Sequence, residues 1–301
     1  MTAILDPEVR PEPSDLLTAR ITGRRRLADR LATALISVSF VVALVPLLFV
    51  IFFLVRKGAG IISADFLTKP IPFQQRTVGP GMGPAVVGTI LITAAASAMA
   101  IPLGILGAIY LEEFGGDGVL TRLIRFMADV MTGVPSIVMG LFIYVAWVQR
   151  FQKQSGFAGS LALACLMLPI VIRTTDEMLK LVPDELRHGS VALGARSFRT
   201  TMSVVIPTAL PGIVSGAMLA VARAAGETAP LIFTIGILNT TSWSLSGPNT
   251  TLSAQIFRNA TSPFPGGQDR AWGAALTLVA LVFVLTMIAR FVASRFTLKH
   301  Q

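Results

Sequence analysis

Apolar residues along this chain fall in long runs, set apart by shorter charged or turn-rich stretches. The runs cover about 31–55, 84–110, 126–148, 156–172, 204–224 and 271–293. A helix needs roughly 20 mostly apolar residues to cross the hydrocarbon of a bilayer, so the pattern predicts an all-α protein with six transmembrane helices. The stretches between them read as connections. Residues 1–30 form a polar tail that contains Pro7, Pro11 and Pro13 and ends in Arg24, Arg25, Arg26 and Arg30. Residues 56–83 are a loop that turns rich in Pro and Gly, 173–203 are amphipathic and charged, and 239–270 are polar with many turn formers. The tail has no apolar h-region and the first run has no cleavage site, so that run reads as a retained span and not as a removed signal.

Composition agrees. The 301 residues are 53% hydrophobic and 14% charged, with a mean hydropathy of +0.72. A soluble domain carries about 25% charged residues. The net charge of +9 does not point to nucleic acid, because the bases sit between apolar runs and form no separate basic arm. Sixteen of the 25 lysines and arginines fall in the two ends and the connections on their side, and eight in the opposite loops. That bias predicts cytoplasmic N- and C-termini, although the loop at 56–83, with Arg56, Lys57, Lys69 and Arg76, is basic for an outer one.

The spans are rich in small residues, as in Thr93–Ala100, and small residues let helices approach closely. Pro46, Pro102, Pro135 and Pro169 lie in or near spans, where each frees a carbonyl that a neighbouring helix or a cavity must satisfy. Cys165 is the single cysteine, and His188 and His300 are the only histidines, so no internal disulfide and no thiolate or multi-histidine metal site is expected. No phosphate-cradling G-x-x-x-x-G-K-[ST] loop and no G-x-S-x-G elbow occurs. The chain is not expected to be an enzyme, and ATP-driven work would need a motor on another polypeptide.

Residues 183–212 read PDELRHGSVALGARSFRTTMSVVIPTALPG. Pro183 suits a helix start, Asp184 and Glu185 complement the dipole of its first turn, and Gly194-Ala195 mark a turn back towards the membrane. The segment resembles the loop of ABC-importer permeases with the form EAA-x3-G-x9-I-x-L-P. Aligned on Gly194 and Pro207, the spacing is kept, with Val204 and Ile206 at the I and L positions, but His188-Gly189-Ser190 replace the EAA letters. In that family the loop is a coupling helix that docks on the ATPase. The resemblance therefore implies coupling roles for Glu185, Leu186, Arg187, His188, Gly189, Ser190, Ala192, Leu193, Gly194 and Ala195.

Residues 216–231 read GAMLAVARAAGETAPL. Ala222-Arg223-Ala224-x-Gly226-Glu227-Thr228-Ala229-Pro230-Leu231 resembles, nearly letter for letter, the corresponding segment of phosphate ABC permeases of the PstA type. Asp65-Phe66-Leu67-Thr68 followed by GMGPAVVGT at 81–89, and GVPSIVMG at 133–140, agree with the same family. The resemblance spans about 60–295 and implies a type I ABC importer permease fold, with the first helix at 31–55 and the permease domain at 84–295.

An arginine at mid-membrane costs at least about 2.5–3.5 kcal/mol on insertion scales, so it faces a cavity or a partner. Arg223 is such a residue, and Glu227 is four residues on, one helical turn away. Two readings fit. The pair holds helices together, or Arg223 presents its forked donors to an oxyanion. In the second reading Glu227 orients Arg223 or accepts a hydrogen bond from a P–OH, which sulfate lacks at neutral pH. Thr228 joins that substrate pathway. Gly226 and Pro230 bracket Glu227, as a hinge or as packing residues. By the resemblance Arg173 is a second pathway arginine; by position it is equally an arginine reaching back to the interface from the end of the fourth span. Thr174 and Thr175 offer hydroxyls beside it, and Asp176 and Glu177 read as interfacial acids.

The resemblance implies a phosphate import permease that pairs with a second, homologous permease. It implies two copies of a cytoplasmic ATPase subunit that use ATP and Mg²⁺, and an extracytoplasmic phosphate-binding protein. This chain itself would hold no cofactor. A permease for another oxyanion such as sulfate or molybdate, and a carrier driven by an ion gradient, remain as alternatives. The Arg223–Glu227 segment argues against the first and the coupling loop against the second.

Overall fold

The computed structural model describes residues 23–297 without Gln75, Thr77, Val78, Pro80 and Asp117, and describes the backbone alone at 289 and 292–297. The tail before Gly23, Asp117 and the end from residue 298, Lys299 included, lie outside the described residues. The chain divides after Phe53 into two units. The first holds most of helix α1 (Gly23–Gly58), whose apolar side chains, Leu35, Phe40 and Phe49 among them, are open on every side. A helix apolar all round needs lipid or another chain as its solvent. Arg24–Arg30, assigned to the tail from sequence, belong to this helix, since no breaker follows Gly23.

The second unit is all helical among its described residues. It comprises α2 (Ala64–Thr68), α3 (Gly83–Phe114), α4 (Val119–Gly133), α5 (Ser136–Phe151), α6 (Gly156–Lys180) and α7 (Asp184–Ala192). It continues with α8 (Ser197–Gly226), α9 (Ala229–Thr234), α10 (Leu252–Ala260) and α11 (Pro265–Thr297). Among the described residues, five helices are long and apolar enough to cross a membrane: α1, α3, α6, α8 and α11. The third span, expected at 126–148, is not one straight helix. It is the pair α4 and α5, bent by 107°. The bend sits at Val134, which takes the extended conformation (ψ 126°) that a following proline favours, and Pro135 then starts the new helix. Pro46, Pro102 and Pro169, by contrast, are carried inside α1, α3 and α6.

Small residues set the packing. Gly104 of α3 lies against Val171 of α6 and Gly159 of α6 against Ile92 of α3, so these helices run parallel. Gly216 of α8 faces Thr174, and Gly212 faces Met178, so α8 runs antiparallel to α6. Their shared core is Ile92, Ala96, Ala100, Leu163, Met167, Ala220 and Ala224, in which the four alanines let backbones come close. A second cluster, Ala108, Leu179, Val182, Val205 and Ile213, closes the other end of the three helices.

The segment after α9 folds back over the start of α6. Gly156 N–H donates to the Gly247 carbonyl (2.9 Å), and Leu252 N–H at the start of α10 donates to Thr89 Oγ1 of α3 (2.8 Å). Gly88 is required there, because a Cβ would stand 1.9 Å from the Thr250 carbonyl oxygen. α10 also donates Ser253 Oγ–H to the Glu227 carbonyl at 2.9 Å, which supports the backbone of the helix break described next.

Candidate functional site

Helix α8 stops at Gly226. Glu227 is extended (φ −67°, ψ 131°), and Thr228 caps α9, in which Pro230 takes a first-turn position where no N–H is needed. Glu227 is thus outside the helix that carries Arg223, not one helical turn along it. The two still meet, with Arg223 Nε 3.6 Å from Glu227 Oε1. Their exposures differ. The Arg223 side chain is 67% exposed on this chain and Glu227 only 18%. The buried stripe of α8 is Ala209, Ile213, Ala217, Ala220 and Ala224, so Arg223 stands off the core with its outer donors open. The broken segment rests on the other break. A Cβ on Gly140 of α5 would lie 2.4 Å from Cα of Pro230, so the two motifs GVPSIVMG and GETAPL are in direct backbone contact.

Arg173 is elsewhere. Helix α6 does not end there but continues to Lys180, which leaves Arg173 inside it. Its partners are Glu177 (Nε–Oε1 3.2 Å) and Asp129 of α4 (3.7 Å), all more than half exposed. Thr174 faces Gly216, and Arg223 is seven residues further along α8, so the two arginines are about 10 Å apart along the helix axes. The neighbouring hydroxyls face away from solvent. Thr174 Oγ1 donates to the Ile170 carbonyl at 2.9 Å and Thr175 is fully buried. Asp176 pairs with Arg125 of α4 and with Lys180, and Arg125 also meets Glu112 at 3.2 Å. Arg125, Asp129, Arg173, Asp176, Glu177 and Lys180 line a cleft of about 220 Å³ between α4 and α6.

The segment at 183–196 forms helix α7, capped by Pro183, with Asp184 and Glu185 in its first turn. It ends at Gly194, whose φ of +85° is left-handed, with Ala195 N–H returning to the Ser190 carbonyl (3.2 Å). Leu186, His188, Gly189, Ala192 and Leu193 are exposed, and Leu193 is 92% so. Arg187 points the other way. It donates to the Val182 and Leu179 carbonyls (2.6 and 2.9 Å) and to Glu113 Oε1 (3.1 Å), at 20% exposure. Ser190 Oγ lies 2.9 Å from Thr200 Oγ1. Gly194→Ala is expected to cost about 1–2 kcal/mol through the left-handed backbone alone, since nothing lies within 4 Å of the added methyl. Gly189→Ala, equally unobstructed but mid-helix, should stabilise by about 0.5–1 kcal/mol. Thermal unfolding of the two variants in detergent checks the opposite signs.

Glu112 and Glu113 follow the apolar run at 84–110. The structure makes them the last turn of α3, where the helix widens over Tyr110–Phe114 and Gly115 N–H reaches back to the Tyr110 carbonyl (2.6 Å). Glu113 is 10% exposed and accepts from Arg187 and from Thr201 Oγ1 (3.1 Å). The one signal in the sequence was a pair of adjacent carboxylates directly after an apolar span, where a buried acid needs a cationic partner.

Known proteins resemble the chain along most of its length. The profile of the "Binding-protein-dependent transport system inner membrane component" family matches residues 100–298. Phosphate transport system permease protein PstA 1 of Mycobacterium tuberculosis is 39% identical over 301 aligned positions, covering 97% of this chain and 96% of that one. PstA of Mycobacterium leprae is 40% identical (91% and 92% covered), and PstA of Yersinia pestis is 39% identical (90% and 92% covered). Among solved structures, the inward-facing MetNI methionine ABC transporter superposes with a TM-score of 0.59 at 16% identity. It covers 70% of this chain and 94% of its own, a likeness of fold alone. With its long apolar helices, its type I permease architecture and relatives at this identity, the chain belongs to the family of binding-protein-dependent transport system inner membrane components.

Proposed function

We propose that this chain is the transmembrane permease subunit of an ATP-driven importer of inorganic phosphate, and that Arg223 with Glu227 contacts the ion in transit. The observation that carries the reading is an exposed arginine on an apolar helix, held by a half-withdrawn carboxylate at a break in that helix. A guanidinium fork suits two phosphate oxygens, and a carboxylate beside it accepts from a P–OH. Gly226 and Pro230 bound the break and let the segment move. Thr228 adds a hydroxyl, and Arg173, about 10 Å along the helices, serves as a second station. The names of the PstA relatives point to the same substrate.

In this reading Arg223, exposed here, faces a second, homologous permease across the pathway. Two copies of an ATPase subunit dock on the exposed face of α7 and use ATP and Mg²⁺. An extracytoplasmic binding protein delivers phosphate to the opposite face. Both termini are cytoplasmic in a bacterial plasma membrane. The test is uptake of labelled phosphate at micromolar concentration with sulfate as competitor, in a host that lacks its own high-affinity system and carries the partner genes. Uptake should require this chain and resist sulfate. Glu227→Gln should weaken the preference for phosphate over sulfate by about tenfold, the worth of one hydrogen bond to a charged group. An unchanged preference removes Glu227 from discrimination, and absence of chain-dependent phosphate uptake ends the substrate assignment.

A further inference from the structure

The coupling helix and the pathway helix share one buried carboxylate. Glu113, at the end of α3, accepts from Arg187 Nη2 (3.1 Å) and Nε (3.4 Å) through Oε1, and from Thr201 Oγ1 (3.1 Å) through Oε2, a hydroxyl proton shared with the Ser197 carbonyl one turn back in α8 (3.1 Å). Arg187 belongs to α7, and its terminal nitrogens also hold the Leu179 carbonyl in the last turn of α6, the Val182 carbonyl just after it and Asp184 of α7 itself. Thr201 is fully buried in the first turns of α8, the helix that carries Arg223. Helices α7 and α8 thus each donate to a different oxygen of one carboxylate carried by α3. The adjacent Glu112 faces another way and meets Arg125 of α4 and Lys180 of α6.

A carboxylate at 10% exposure is poorly solvated and costs little only while its donors stay in place. A displacement of α7 that moves Arg187 must therefore either strand Glu113 or carry Thr201, and with it α8, along. Hydrogen bonds to a charged group contribute about 1.5–3 kcal/mol each, so following is the cheaper course. The span from Thr201 to Arg223 is one helix, about 33 Å long at 1.5 Å per residue, which transmits a shift at its foot to the ion-facing end.

We propose that Glu113 is the positioning residue that transmits motion of the docked coupling helix α7 to the pathway helix α8, so that its loss uncouples ATP hydrolysis from transport. The inference rests on the ATP-driven import reading above.

The experiment uses the complete complex, with both permeases, ATPase and binding protein, in proteoliposomes. Two quantities are read in wild type, Glu113→Ala, Glu113→Gln and Thr201→Val. The first is phosphate imported per ATP hydrolysed. The second is the nucleotide-dependent change in thiol labelling of an Ala222→Cys reporter in a Cys165→Ala background. Misfolding lowers transport and hydrolysis together and leaves their ratio alone, whereas uncoupling lowers the ratio. The ratio should fall at least tenfold in Glu113→Ala and about threefold in Glu113→Gln, which keeps an acceptor for Arg187, and in Thr201→Val, which removes one arm only. The labelling response should shrink in the same order. If Glu113→Ala does not assemble, the two milder variants carry the test. An unchanged ratio and labelling response in all assembled variants overturns the role of Glu113. A wild type whose reporter responds to nucleotide but which imports no phosphate overturns the substrate reading, and the labelling series still decides Glu113.

Discussion

Phosphate uptake is expected to fall at least tenfold when Arg223 is replaced by glutamine, with the permease still folded and assembled. The fold has little invested in this side chain. It is two-thirds exposed, it lies off the buried alanine stripe of α8, and its ion pair with Glu227 is a long one at 3.6 Å. Its removal therefore leaves no cavity and strands only one carboxylate, which is itself partly exposed. Transport is different. An oxyanion moving through a region of low dielectric loses its water, and each charge-assisted hydrogen bond that replaces it contributes about 1.5–3 kcal/mol. That range corresponds to roughly 10- to 150-fold in occupancy or rate. Arg223→Lys should fall between, since an ammonium restores the charge and not the planar fork. Concentration-dependent uptake of labelled phosphate, normalised to assembled complex, checks both. Full uptake in Arg223→Gln removes this arginine from the pathway.

The second large effect is predicted at Gly140. Its substitution by valine places a Cβ at 2.4 Å from Cα of Pro230 and 3.1 Å from its carbonyl oxygen, distances that no rotamer relieves. Either α5 or α9 must move. Over-packing of this kind costs about 1–3 kcal/mol, and backbone against backbone belongs at the upper end. Because α9 begins two residues after Glu227, the displacement reaches the Arg223–Glu227 pair. Both the thermal midpoint of the purified permease and the uptake rate should fall. Gly133→Val is the control. It lies in the same motif with nothing within 4 Å, and should leave both nearly unchanged.

Glu113 and Gly140 illustrate what local patterns do not encode. Glu113 is separated by 74 residues from Arg187 and by 88 from Thr201, and Gly140 by 90 from Pro230. No run, cap or period in the chain records those pairings. The same limit explains Arg187. It sits in the middle of a loop recognised by its spacing, and on a helix of nine residues a single position faces inward or outward according to what packs beneath it. Beneath α7 lie Leu179, Val182 and Glu113, so Arg187 turns inward while Leu193 is left open. Pro135 is the intermediate case. A proline within an apolar run signals a disturbance, but Pro102 and Pro169 are absorbed by their helices, and only the environment of Pro135 turns it into a 107° bend.

The sequence by itself determined that the chain is a bundle of membrane-crossing helices. Runs of about 20 apolar residues have no other solvent, and a backbone in lipid satisfies its hydrogen bonds as helix. It also determined the family, because A-R-A-x-G-E-T-A-P-L and the spaced loop around Gly194 are contiguous and keep their letters or spacing however the helices pack. Tertiary structure alone decided that the third span is broken, that Arg173 lies inside its helix among Asp129 and Glu177, and that Glu227 stands beyond the end of α8. It alone brought α7, α8 and Glu113 together. These outcomes depend on which distant surfaces meet. In a core where alanines alternate with larger apolar side chains and glycines face neighbouring helices, the meeting is set by close backbone approach across the bundle and not by any one segment.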